Sequence, residues 1–151
     1  MTIREARPDE RGLLLDLWRR SVRATHRFMT EEDIQSLLPV VRDQALPALE
    51  LWVVCDRGGA IAGFMGLAGS SVEALFIDPA FMRRGAGRLC LEHARRLKGP
   101  LTVDVNEQNP EAVRFYQACG FTVVGRSPLD AGGRPFPLLH MRDSVPQGAK
   151  S

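Results

Sequence analysis

The chain has 151 residues, 44% hydrophobic and 25% charged, with a formal net charge of +2. That length suits one compact domain with a real core and is short for two. The small charge argues against bulk nucleic-acid or membrane binding, no apolar run is long enough to span a bilayer, and three cysteines (Cys55, Cys90, Cys119) with no CxxC pair exclude a closed disulfide framework and argue against structural zinc. No basic-then-apolar leader is seen, so a soluble cytoplasmic protein without nucleic-acid, membrane or metal partners is expected.

In chain order, "TIREA" reads as a short strand, and Pro8, Asp9 and Glu10 suit a first helical turn. Leu13, Leu14, Leu17 and Trp18 recur at helical spacing and are expected in the core. A second helix is expected from Thr30, with Asp33 completing a capping box; Pro39 should interrupt it and Pro47 should end the segment after that break. "LWVVCD" and "AIAGFMGLAG" read as strands around an Arg57-Gly58-Gly59 turn, and "SVEALFIDP" as a third strand stopped by Pro79. A helix from Ala86 to Leu97 ends at Gly99-Pro100, and "LTVDV" is the next strand. Asn109 and Pro110 are the N-cap and first residue of a helix that Gly120 closes. "FTVVG", a turn-rich "LDAGGRPFP" and "FPLLHMR" come next, then a frayed tail. The expectation is one mixed α/β domain over 1–142 with a flexible tail at 143–151. An antiparallel meander should lead into a parallel strand–helix–strand crossover.

"FIDPAFMRRGAGRLCLEHARRL" carries the first chemical signal. A helix start has unpaired N–H groups and a positive dipole end. Gly85 and Gly87 around Ala86 let an anion approach the backbone, and Arg83, Arg84 and Arg88 add charge, so a phosphate or pyrophosphate is the natural guest. There is no GxxxxGK[ST] pattern, and Cys90 stands where a dinucleotide fingerprint needs its third glycine.

That stretch resembles the acetyl-coenzyme-A motif of the GNAT superfamily of N-acetyltransferases, in which a strand leads into Q/R-x-x-G-x-G/A and a helix. "NPEAVRFYQACGF" resembles the second signature of the same superfamily, in the right order and spacing. "SVRATHRFM", "ALFIDP", "DVNEQN" and "GRPFPLLHM" resemble its YjaB-like branch. Met82 stands where the superfamily usually has Gln or Arg, a departure that leaves the backbone donors untouched.

The resemblance implies a GNAT-like fold with splayed central strands and acetyl transfer from acetyl-CoA to the primary amine of a small molecule or protein. Leu75, Phe76 and Ile77 would meet the pantetheine, with Val103 to Val105 as the splayed neighbour, and a backbone N–H of the first strand would stabilise an oxyanion. Asn109, Ala112 and Phe115 would complete the cofactor site. An alkyl ammonium titrates near pH ~10.4 and must lose a proton. Glu73 or Asp104 can take that proton or anchor a cation. Tyr116 takes the place of the thiol-facing tyrosine and can protonate the departing thiolate. His26 and Phe28 fall in the acceptor wall; Trp18 and Phe136 are further lining residues, with core packing the stronger reading for Trp18. His93 and His140 have no partner legible in the sequence. A cysteine acyl-enzyme lacks an identifiable base. Acceptor identity and the choice between monomer and homodimer stay open, and a non-catalytic acyl-CoA-binding sensor module is the alternative.

Overall fold

The computed structural model describes residues 1–144. Its strands are β1 (Thr2–Glu5), β2 (Glu50–Cys55), β3 (Ile61–Ala68), β4 (Ser71–Ile77), β5 (Thr102–Asn106), β6 (Phe121–Ser127) and β7 (Leu138–Asp143). The helices are α1 (Arg11–Thr25), α2 (Glu31–Val40), the single turn α3 (Leu46–Ala48), α4 (Ala86–Lys98) and α5 (Pro110–Ala118). One mixed sheet has the order β1-β2-β3-β4-β5-β7-β6; β4 and β5 are parallel and every other pair is antiparallel. The expected meander and the β4–α4–β5 crossover are both present.

Strand alternation sends neighbouring residues into opposite layers. Val54, Met65, Val103 and Met141 pack with Leu91 of α4 and Tyr116 of α5. Val53 and Phe64 pack with Leu14, Leu17 and Trp18 of α1. With helices on both faces, the central strands read as nearly continuous apolar runs. Leu13 departs from expectation at 57% exposure. It lies ~100° around α1 from Leu14, off the stripe that meets the sheet.

The Thr30–Asp33 capping box forms in both directions, at 3.1 and 2.9 Å. Pro39 does not interrupt α2, which runs through it to Val40. A widened π-type turn, Val41–Ala45, carries the chain on to α3, so the irregularity falls after the proline. Pro8–Glu10 forms a 3-10 turn ahead of α1, and Glu10 turns inward. Both of its oxygens are held by Arg4, at 3.0 and 2.8 Å, which lowers its carboxyl to about 2.

Asp143 belongs to β7, where the sequence suggests the start of a tail, and its side chain is 3% exposed. It pairs with Arg95 of α4 at 2.6 Å and accepts from the Leu101 N–H at 2.8 Å. Ser144 N–H bonds the Gly120 carbonyl. The remaining tail positions, 145–151, lie outside the described residues. Replacing Asp143 by Ala strands a charged Arg95 and an unpaired N–H. We expect a loss of about 3 kcal/mol in urea unfolding; a loss below about 1 kcal/mol would show that Arg95 finds another partner.

Candidate active site

β4 and β5 are neighbours over only two pairs, Ser71 with Thr102 and Val72 with Val103. Beyond them the strands part. Leu75, Phe76 and Ile77 pair with Met65, Phe64 and Gly63 of β3 on one side and with no strand on the β5 side. Backbone groups on that side are available to a ligand. A register shift opposite Gly66 and Leu67 leaves Glu73 unpaired, as a bulge. Its effect is visible in the packing: Val72 faces the α4 layer and Ala74 the α1 layer. Glu73 is exposed and accepts a hydrogen bond from the Ser71 hydroxyl.

The parted strands open a cleft of about 580 Å³. It reaches from Ser21, Thr25 and His26 at the end of α1 to the loop before α4 and the inner face of α5. That loop presents a run of unpaired N–H groups, the arrangement an anion needs. No backbone or side-chain acceptor among the described residues takes the N–H groups of Gly85, Ala86, Gly87 or Arg88; the first helical bond of α4 runs from Leu89 N–H to Gly85. Gly85 sits at φ 82° and Arg83 at φ 65°, so the chain curls through two left-handed residues. For Arg83 that conformation is strained, as backbones around bound ligands often are. Gly87 has a different reason from the one expected: a Cβ there would stand 2.9 Å from Cζ of Phe115, so this glycine lets α4 close on α5.

On the α5 wall, Tyr116 is 8% exposed and its ring stands edge-on between Phe115 and Phe121. Burial raises its pKa, so the phenol keeps its proton at neutral pH. The hydroxyl has no hydrogen-bond partner among the described residues. Asn109 is buried and caps α5, its Oδ1 accepting from Ala112 N–H at 3.2 Å. Burial pushes the Cys90 thiol up to about 12 and raises that of Cys119, which removes both as thiolate nucleophiles.

On the opposite wall the Thr25 hydroxyl donates to the Ser21 carbonyl at 2.8 Å, so its oxygen receives from Nδ1–H of His26, also at 2.8 Å. That fixes the tautomer with the lone pair on Nε2. The His26 ring stands 5.4 Å from Phe28 and 6.3 Å from Phe76, and Phe28 is 5.8 Å from Phe136. Trp18 is core, as the sequence suggested.

The cleft gathers His26, Glu73, Asp104, Tyr116, Asn109, Ala112 and Phe115 with Leu75 to Ile77 and most of the loop. Three expected residues stand aside: Phe28 backs His26, Phe136 packs edge-on against Phe28 and not on the cleft, and the Arg84 guanidinium lies over the Phe81 ring at 5.5 Å. Arg114, Glu111 and Asn106 also line the cleft and were not singled out from sequence, since single polar residues inside a motif carry no pattern of their own. His140, without a legible partner, meets Asp104 at 2.6 Å and Ser127 at 2.7 Å. His93 packs edge-on against Trp52.

The family model described as acetyltransferase (GNAT) domain matches residues 47–123. The chain is 44% identical over 141 residues to the peptidyl-lysine N-acetyltransferase YjaB of Escherichia coli (strain K12), covering 93% of this chain and 95% of that protein. The chain belongs to the GNAT acetyltransferase family. A second relative, the peptidyl-lysine N-acetyltransferase YiaC of the same organism, is 32% identical over 81% of this chain and 84% of its own. Among solved structures, apo YjaB from E. coli superposes with a TM-score of 0.85 at 44% identity, covering 93% of this chain and 95% of that one. The PaiA N-acetyltransferase of Thermoplasma acidophilum, in complex with coenzyme A, reaches 0.75 over 96% and 100% of the two chains; at 17% identity that likeness speaks for the fold alone.

As a GNAT protein the chain is an acetyl-CoA-dependent N-acetyltransferase, and the non-catalytic sensor is not favoured. Its own geometry suits that donor. A run of unsatisfied N–H groups matches a pyrophosphate, and unpaired strand edge matches the amides of a pantetheine arm. No helix among the described residues is long and apolar enough to cross a membrane.

Burial lowers His26 from 6.5 to about 4. Across that window the unfolded chain binds a proton that the folded chain refuses, so stability falls as pH falls. His93 acts in the same direction, whereas the lowered carboxylates act below about pH 4.5. His26→Gln is expected to recover about 2 kcal/mol of the stability lost between pH 6.5 and 4.5, read from urea unfolding at each pH. An unchanged slope would mean that the imidazole is charged in the fold.

Proposed function

We propose that this GNAT enzyme acetylates lysine side chains of proteins by direct transfer within a ternary complex of enzyme, acetyl-CoA and acceptor. The observation that carries the reading is one cleft with a protonated phenol on one wall and two carboxylates on the other. The relatives named as peptidyl-lysine acetyltransferases support lysine as the acceptor class. Free, buried cysteines suit a cytoplasmic location.

Acetyl-CoA supplies an acetyl thioester whose sulfur leaves as the amine attacks. The chain's residues do the rest. N–H groups from Gly85 to Arg88, with the charges of Arg83 and Arg88, hold the pyrophosphate; Arg84 adds charge from its place over Phe81. Backbone of Leu75, Phe76 and Ile77 orients the arm, and Asn109, Ala112 and Phe115 close its far side. Asp104 holds the incoming ammonium, and Glu73, on its bulge beside Ser71, takes the proton directly or through one water. His26, backed by Phe28, offers Nε2 as a further acceptor beside the substrate's methylenes. Tyr116 gives its Oη proton to the leaving sulfur.

Tyr116→Phe should lower kcat on a lysine peptide by roughly 100-fold with acetyl-CoA affinity unchanged. Free-thiol release and calorimetry read the two quantities. Equal kcat in the variant would remove Tyr116 from the chemistry. Glu73→Gln should likewise act on kcat, by about 10-fold or more, with little change in KM; an effect confined to KM would exchange its role with that of Asp104.

A further inference from the structure

Asp104, His140 and Ser127 form a continuous hydrogen-bonded line on three successive strands, β5, β7 and β6. Asp104 faces His140 in the register of β5 and β7, and His140 faces Gly125 in that of β7 and β6. Nδ1 of His140 lies 2.6 Å from Oδ1 of Asp104, and Nε2 lies 2.7 Å from Oγ of Ser127. A carboxylate only accepts, so Nδ1 carries the proton and donates it to Asp104, while Nε2 shares a hydrogen bond with the Ser127 hydroxyl. Gly125 lies against this ring: a Cβ there would stand 3.4 Å from Cδ2 of His140, in van der Waals contact.

We propose that His140 and Ser127 are positioning residues of the acceptor site, holding Asp104 as the carboxylate that anchors a cationic lysine side chain. The proposal rests on the amine-acceptor reading above and deepens it. An exposed aspartate on a strand otherwise samples several rotamers, each with its own aim. Here one oxygen is bound to the imidazole, and the lone pairs of Oδ2 are left for the ammonium. The same three residue types in the same order make a hydrolytic triad, but only Asp104 lines the cleft. Ser127 sits on the edge strand β6, with two strands between it and β4, so an acetyl group held in the split does not reach it.

The test uses Nα-acetyl-lysine amide as probe, titrated into the intact protein without acetyl-CoA; calorimetry gives its dissociation constant in every variant, and NMR follows the His140 ring in the wild type. In the wild type the ring signals should move on titration. Asp104→Asn and His140→Ala should each weaken the probe's dissociation constant about tenfold, since a charge-assisted hydrogen bond is lost or misaimed. His140→Asn, whose amide nitrogen stands near the place of Nδ1, should stay within about twofold of wild type, and Ser127→Ala should fall between. Acetyl-CoA affinity should be unchanged in all four variants. Wild-type affinity in His140→Ala, or a loss of acetyl-CoA affinity in step with probe affinity, overturns the proposal. So does acetylation of Ser127, or amine-independent hydrolysis of acetyl-CoA that Ser127→Ala abolishes. If lysine peptides are never acetylated while the binding pattern holds, the lysine-transferase reading fails and the anchor stands.

Discussion

Everything in this molecule depends on two strands that stop being neighbours. β4 and β5 share two residue pairs and then diverge inside a sheet that is otherwise continuous. A split in a sheet exposes backbone polar groups that must be satisfied by water or by a ligand. The fold keeps it open from both sides. The bulge at Glu73 turns β4 as it leaves Val72, and the loop before α4 enters with its N–H groups unpaired. The binding site is thus a region where the sheet declines its own hydrogen bonds.

The split also separates two kinds of chemistry. On the α5 side Tyr116 stands among aromatic rings, and burial keeps its proton in place. On the α1 side, Glu73 and Asp104 are exposed carboxylates. A proton donor and a cation-binding surface need opposite environments. In the proposed mechanism, two layers packed on opposite faces of one sheet supply them around one cleft.

Much of this was legible in the chain. The succession of strands and helices along the chain, the cap at Asn109, the capping box at Thr30 and the helix start at Ala86 each rest on local rules, and local rules are written in sequence. That Tyr116, Glu73 and Asp104 share one cleft was legible because they lie in or beside two motifs of known spacing. The rest depends on contacts between distant segments. His140 gains its partners only when β7 inserts between β5 and β6, a placement that nothing near residue 140 announces. Asp143 read as the start of a tail because its partner Arg95 is 48 positions away. Leu13 read as core because its apolar character does not record that it sits at the margin of its stripe.

The contact between Gly87 and Phe115 has a consequence for the donor. The glycine belongs to the run of unpaired N–H groups, and the phenylalanine sits directly before Tyr116. The Phe115 ring fills the space that a side chain at 87 would take, so the proposed phosphate end and the proposed sulfur end of the site meet at one contact. Under the proposed mechanism the span between them would serve as a ruler, gauging a thiol carrier by whether its arm reaches from one mark to the other.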